Sequence, residues 1–135
     1  MTIVVGYIPT PEGSAAVDAA IDAAKCKGSR LVVVNTGHFG DFAHPSFATA
    51  EDVDALDGQL DAAGLEHEIR RPTEASAPAD VILEVAAETG AELIVIGLRR
   101  RSPVGKVLTG STAQQVLLDA DCPVLAVKPR AVGRN

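Results

Sequence analysis

The feature that most constrains the fold is a repeated switch between short β-branched apolar runs and segments in which small apolar residues follow helical spacing. The runs expected to form strands are residues 3–5, 31–34, 65–71, 93–96 and 123–127. The first segment between them has Thr10 as its expected N-cap, Pro11 in the first helical turn and Gly28 as its stop. Strict alternation with apolar strands predicts an α/β domain in which helices cover both faces of a parallel sheet.

The order of the strands follows from the handedness of their connections. Three further helices are expected. One starts at about Glu51, with Thr49 as its cap, and is closed by Gly64; one is capped by Ser76 and ended by Gly90; and one opens at Gly110-Ser111. Right-handed crossovers between parallel strands leave few topologies, and of these we expect the doubly wound sheet with strand order 3-2-1-4-5. Such a sheet reverses direction between strands 1 and 4, and its ligands bind there, beyond the carboxyl ends of the strands. The segments 6–12 and 97–111 are therefore expected to face each other.

Composition and charge narrow the class of protein. The 135 residues are 47% hydrophobic, so we expect one domain over residues 1–128, with a flexible C-terminal tail at 129–135. A net charge of −6 argues against nucleic acid as a partner. No apolar run approaches ~18 residues and no signal peptide is recognisable, so we expect no membrane span and a cytoplasmic protein. Cys26 and Cys122 are expected to be two separate buried thiols.

The connection after strand 4 carries the clearest signal of a binding site. It is about twelve residues long, where such loops usually have about 2–6. It holds four of the twelve Lys and Arg residues, and it ends in Gly110-Ser111-Thr112 at the start of a helix. Free N–H groups and the positive end of the helix dipole favour a phosphate there. The alternative is that Ser111 only caps the helix and the basic residues form a solvated surface.

Several other chemistries do not match the residues present. A P-loop requires Ser or Thr after its Gly-Lys pair, and here Lys106 is followed by Val107. Residues 6–11 lack the GxGxxG fingerprint of dinucleotide binding, and strand 3 does not end in the Asp that a receiver domain phosphorylates. We find no nucleophile–His–acid set and no metal site at firm spacing, so catalysis is not indicated.

The chain resembles the universal stress proteins of the UspA type over roughly residues 2–128. The resemblance rests on the strand order, on the Gly110-Ser111 helix start and on the closing run DCPVLAVK at 121–128. Nucleotide-binding members of that family carry G-x2-G-x9-G-[S/T] after strand 4. Gly97 matches the first glycine and Gly110-Ser111 match the last pair, whereas Arg100 replaces the second glycine. The resemblance implies a Rossmann-like, adenine-nucleotide alpha-hydrolase-like fold.

The resemblance also implies which residues hold a ligand. Gly97, Gly110, Ser111 and Thr112 would contact the ribose and phosphates of ATP or another adenine nucleotide. Arg100 would either block the phosphate path or pair with the phosphates.

Four further residues complete the implied site. Lys106 is a second candidate partner for the phosphates, and Thr36 would lie near the base. Gly6 and Ile8 lie at the end of strand 1, where family members commonly have an Asp that contacts the ribose. Ile8 occupies the position of that Asp, so a ribose acceptor is lost.

The function expected from this resemblance is a small sensor or regulatory protein of the stress response that binds ATP, with Mg²⁺ on the phosphates. Slow ATP hydrolysis is the most activity we expect. The apolar strand 5 is expected at a sheet edge, where it would pair with a second copy in a homodimer. The alternative function is a dimerisation or interaction module that has lost its ligand, which Ile8 and Arg100 favour.

Aromatic and histidine residues outside the connection after strand 4 are interpreted mainly as packing residues. The connection after strand 2 contains Phe39, Phe42 and Phe47 together with His38, Asp41 and His44. We expect the phenylalanines to anchor the loop to the body or to a partner subunit. A metal site and a lid over the adenine are the alternatives. Tyr7 is expected to be a packed aromatic with its hydroxyl at the rim, and His67 is expected to serve packing rather than chemistry.

Overall fold

The chain, described here by a computed structural model, forms five strands and four helices in alternation. The structure describes residues 1–8, 10–35, 50–70, 77–98 and 110–129. The elements are β1 (Thr2–Tyr7), α1 (Pro11–Lys27), β2 (Arg30–Asn35), α2 (Ala50–Ala62), β3 (His67–Arg70), α3 (Pro78–Thr89), β4 (Leu93–Gly97), α4 (Gly110–Asp119) and β5 (Val124–Val127). The predicted alternation is confirmed, and the strand limits differ from the predicted ones by at most two residues.

The strands form one parallel sheet in the order β3-β2-β1-β4-β5, as predicted. β1 lies in the centre, with β2 on one side and β4 on the other. The chain therefore changes winding direction between β1 and β4. This places the switch point at the carboxyl ends of these two strands.

Two apolar cores lie on opposite faces of the sheet. Alternate residues of β1 divide between them: Ile3, Val5 and Tyr7 face α1 and α2, whereas Val4 faces α3 and α4. The four consecutive residues 31–34 of β2 are fully buried, because helices cover both faces. Aliphatic side chains thus build the cores, as the low aromatic content required.

The helix ends that the structure describes follow the predicted signals, except at the start of α3. Gly13 donates its backbone N–H to Thr10 Oγ1 at 3.2 Å, so Thr10 is the N-cap of α1. Gly28 ends that helix with φ 67°, a left-handed conformation that favours glycine. The expected caps Thr49 and Ser76 lie outside the described residues. The N-cap of α3 is instead Ala77, with Pro78 in the first turn supplying the fixed φ that starts the helix.

The cysteine prediction was wrong for Cys26. Its position on α1 turns it away from the sheet, so Cys26 is exposed, and Cys122 is half-buried. No helix in the described part of the chain is both long and apolar enough to span a membrane. The location expected from the sequence stays a prediction. Pro129, which the sequence assigned to the tail, is buried.

Candidate functional site

The first turn of α1 lies directly against the end of β4. A Cβ atom added at Gly97 would lie 2.6 Å from the carbonyl carbon of Glu12, well inside van der Waals contact. A Cβ added at Gly13 would similarly lie 2.9 Å from the carbonyl carbon of Ile8. These two glycines therefore let the backbones of β1, α1 and β4 meet at the switch point. The sequence assigned Gly97 to the nucleotide, and the structure gives it a packing role as well.

The connection from β1 to α1 is a tight, hydrogen-bonded turn. Thr10 donates its N–H to the carbonyl of Ile8 at 2.8 Å, and Ser14 donates to the carbonyl of Thr10 at 2.9 Å. Ile8 is half-buried and presents an aliphatic side chain at this turn. The N-terminus of α1, with its partial positive charge, is thus held at the carboxyl edge of the sheet.

Gly6 is explained by packing against α3. A Cβ added at Gly6 would lie 2.8 Å from Cδ1 of Ile82, and the Ile96 side chain is also in contact range at 3.9 Å. Both residues belong to the core between the sheet and helices α3 and α4. The space that glycine leaves at this position is therefore next to that core.

Helix α4 brings its N-terminus to the same edge of the sheet. Because it follows β4 in a parallel crossover, α4 starts beyond the carboxyl ends of the strands, at Gly110. Thr112 is half-buried in its first turn, and Ala113 and Val116 anchor the helix in the core. The first turn contains no acidic residue, so its partial positive charge is not neutralised from within the helix.

Some predicted site residues cannot be placed. Thr36, Arg100 and Lys106 lie outside the described residues, as do the phenylalanines and histidines of segment 38–47. Gly110 and Ser111 are described by their backbone alone. The described residues that meet at the switch point are Ile8, Glu12, Gly13 and Gly97.

Two polar side chains, those of Tyr7 and Asn35, lie near this edge on the face of the sheet that α1 and α2 cover. Burial raises the pKa of the Tyr7 phenol, and the Asp52 carboxylate in the first turn of α2 raises it further. Tyr7 is in register with Asn35 at the end of β2. Asn35 is fully buried. The sequence prediction for Tyr7 as a packed aromatic is confirmed by its burial.

His67 forms a polar cluster at the opposite end of β3. Its Nε2 lies 2.6 Å from Oδ1 of Asp57 and 3.9 Å from Oδ1 of Asp61, and its Nδ1 lies 2.9 Å from the carbonyl oxygen of Leu65. Among the described residues, these three side chains are grouped closely enough to share a cation, with ligand atoms within 4.8 Å of one another. The His67 side chain is only 10% exposed, as packing predicts, but both of its ring nitrogens lie within hydrogen-bonding distance of oxygen atoms. The packing interpretation was therefore incomplete.

This cluster predicts a pH-dependent stability. Both ring nitrogens face acceptors, and both can donate only in the imidazolium form. The Leu65 carbonyl, then the Asp57 carboxylate, raise the pKa of His67 above its usual value. Because the folded pKa is the higher one, the added stability is complete below about pH 6.5 and is lost as the pH rises through the folded pKa.

We therefore expect the free energy of unfolding to fall from pH 6 to pH 8, and urea titrations at these two values measure it. His67→Gln should remove most of that difference. Asp57→Asn should lower stability by about 0.5–1 kcal/mol at pH 6 and less at pH 8, since Asp57 is half-exposed. An unchanged pH dependence in His67→Gln would assign the effect to other groups.

The comparisons with known proteins agree with this architecture. The model of the universal stress protein family matches residues 1–128. A universal stress protein of Mycolicibacterium smegmatis is 42% identical over 127 residues, which cover 94% of this chain and 97% of that protein. The sheet order is that of a Rossmann-like α/β protein. The chain belongs to the universal stress protein family.

Solved structures extend the comparison to the fold. A universal stress protein from Archaeoglobus fulgidus is 31% identical, with a TM-score of 0.69 over 95% of this chain and 98% of that one. A second structure, the universal stress protein from Archaeoglobus fulgidus in complex with dAMP, is 26% identical. Its TM-score is 0.62 over 95% of this chain and 98% of that one.

Proposed function

We propose that this protein binds an adenine nucleotide at the carboxyl ends of β1 and β4 and acts as a regulatory or sensor module. The observation that carries the proposal is that two helix N-termini, those of α1 and α4, lie at one edge of the sheet beside the switch point. Helix N-termini favour phosphate through free N–H groups and the helix dipole. A family relative that is 26% identical was solved in complex with dAMP, which supports an adenine nucleotide as the ligand.

The proposed contacts follow the family motif where this chain retains it. The backbone at Gly97, Gly110 and Ser111 would approach the ribose and phosphates, and the hydroxyl of Thr112 would donate to a phosphate oxygen. Arg100 and Lys106 would supply positive charge to the phosphates, and Thr36 would lie near the base. Ile8 supplies no acceptor, so the ribose would lack the carboxylate that family members commonly offer.

The nucleotide would be ATP or a shorter adenine nucleotide, with Mg²⁺ on its phosphates when ATP is bound. The switch-point side chains that the structure describes include one carboxylate, Glu12, in the first turn of α1. The proposed role is binding with at most slow hydrolysis, rather than catalysis.

The binding test uses the purified full chain. Nucleotide released by denaturation is identified by mass spectrometry, and the stripped protein is titrated with AMP and with Mg-ATP by calorimetry. Gly110→Val is expected to weaken binding by about tenfold or more, because a branched side chain would fill the phosphate approach to α4. Gly58→Val is the matched control. It lies within α2, and a Cβ there meets nothing within 4 Å.

The two possible results of this titration separate the candidate functions. Binding that Gly110→Val weakens and Gly58→Val preserves supports the nucleotide site. If the protein releases no nucleotide and shows no heat at millimolar ATP, it does not bind adenine nucleotides. The family fold would then serve as an interaction module, an alternative favoured by the aliphatic Ile8 at the β1–α1 turn.

We further propose that two copies pair through β5. Among the described strands, β5 pairs with β4 alone, and Leu125 on it is 42% exposed. An apolar strand at an open edge requires cover. Sedimentation of the wild type is expected to give roughly twice the 13.9 kDa chain mass, and Leu125→Lys is expected to give the monomer. A monomeric wild type at micromolar concentration would contradict the dimer.

A further inference from the structure

Asn35 carries a buried amide that no described residue satisfies. The residue is 0% exposed, and within the part of the chain that the structure describes neither Nδ2 nor Oδ1 has a hydrogen-bond partner. Leaving a buried polar group unpaired is unfavourable, because its hydrogen bonds to water are lost on folding and not replaced. An aliphatic residue of the same size would avoid that cost. The unpaired amide therefore destabilises the fold, and its presence requires an explanation other than stability.

The position of Asn35 connects it to the proposed nucleotide site. It is the last residue of β2, and its register partner is Tyr7, the last residue of β1. Leu31 and Val33 belong to the core that faces α1 and α2, and strand alternation places Asn35 on the same face. Asn35 therefore ends its strand at the carboxyl edge of the sheet, one strand away from the switch point between β1 and β4.

We propose that the Asn35 amide recognises the base of the bound nucleotide. This inference rests on the proposed function and names the group that would read the adenine. An amide offers one acceptor and one donor side by side. The adenine edge offers the 6-amino group as donor and a neighbouring ring nitrogen as acceptor, which is the complementary pattern. Oδ1 would accept from the 6-amino group, and Nδ2 would donate to the ring nitrogen.

This assignment makes stability and affinity respond in opposite directions. Asn35→Leu removes an unpaired polar group and keeps the side-chain volume, so the variant without nucleotide is expected to be at least as stable as the wild type. The same change removes both hydrogen bonds to the base. A residue with only a structural role would not combine preserved stability with weaker nucleotide binding.

The decisive experiment compares two ligands that differ only at the 6-amino group. Wild type and Asn35→Leu are each titrated with AMP and with purine riboside 5′-monophosphate, which lacks that amino group. We expect the wild type to prefer AMP by roughly fivefold, the effect of one buried hydrogen bond. Asn35→Leu should bind both ligands equally, so the preference measures the contact itself.

Val33→Ala is the matched control, because Val33 lies on the same face of β2 and is fully buried. It should lower the melting temperature and retain the preference for AMP. Asn35→Ala serves in the same ligand comparison if Asn35→Leu does not fold. A preference that persists in the Asn35 variants would overturn this inference and leave the nucleotide site standing. A wild type that binds neither ligand would overturn both.

Discussion

Gly97→Ala is expected to lower the free energy of unfolding by about 3 kcal/mol in the absence of any nucleotide. The added Cβ would lie 2.6 Å from the carbonyl carbon of Glu12, and the atoms in its way are backbone rather than the end of a side chain. They cannot move alone, because Thr10 caps the first turn of α1 and fixes its start. The whole helix would have to shift from β4. Urea denaturation followed by circular dichroism measures the loss.

Gly58→Ala provides the opposite result within the same protein. Gly58 lies on the exposed face of α2, where a Cβ meets nothing within 4 Å, and alanine is the better helix former. This variant should be more stable by about 0.5–1 kcal/mol. If Gly97→Ala were as stable as the wild type, α1 would tolerate displacement and the close approach would not require glycine.

The two expected roles of Gly97 affect how binding data are interpreted. As the first glycine of the family motif it would allow a ribose or phosphate to approach, and as a packing residue it allows α1 to reach β4. A Gly97 variant that loses nucleotide binding could lose it through either effect. Gly110→Val and Asn35→Leu are therefore the informative changes at the site, provided that stability is measured alongside affinity.

The fold was predictable because its signals are local and redundant. Four consecutive apolar residues at 31–34 have no polar alternate position, and this pattern requires a strand covered on both faces. Cap and stop residues such as Thr10 and Gly28 mark the ends of α1, and the structure uses both as expected. Once the alternation was known, handedness left few strand orders.

The polar details depend on register between distant segments, which no local pattern contains. Asn35 lies just beyond the strand predicted over residues 31–34, although it is the last residue of β2. Asp57 and Asp61 are four apart on α2, a spacing visible in the sequence. Their approach to His67 requires the packing of α2 beside β3 and could not be inferred from that spacing. The prediction for Cys26 followed the usual burial of free cysteines, whereas this residue lies on the exposed side of the last turn of α1.

Leu60→Ala is expected to destabilise the protein by about 3 kcal/mol, the second large effect. Leu60 is fully buried in the core between α1, α2 and the sheet, and truncation would leave a cavity there. Among the described side chains of α2, Leu56 is the other buried aliphatic one and Val53 is half-buried, so few apolar side chains anchor this helix. Urea denaturation measures the loss. Leu118→Ala, at an exposed position on α4, should change stability by less than about 0.5 kcal/mol.

The consequence for the proposed site comes from the first turn of the same helix. Asp52 there acts on Tyr7, which is the register partner of Asn35, so loosening α2 changes the surroundings of the proposed base contact. Hydrogen exchange on Leu60→Ala should show α2 amides losing protection before those of β1 and β4, because this change removes one of the two buried leucines that anchor the helix. Uniform loss of protection would mean that α2 unfolds only with the whole domain. In that case Leu60→Ala would weaken AMP binding only by raising the fraction of unfolded protein. If α2 opens selectively, the variant should bind AMP more weakly even while the rest of the domain stays folded.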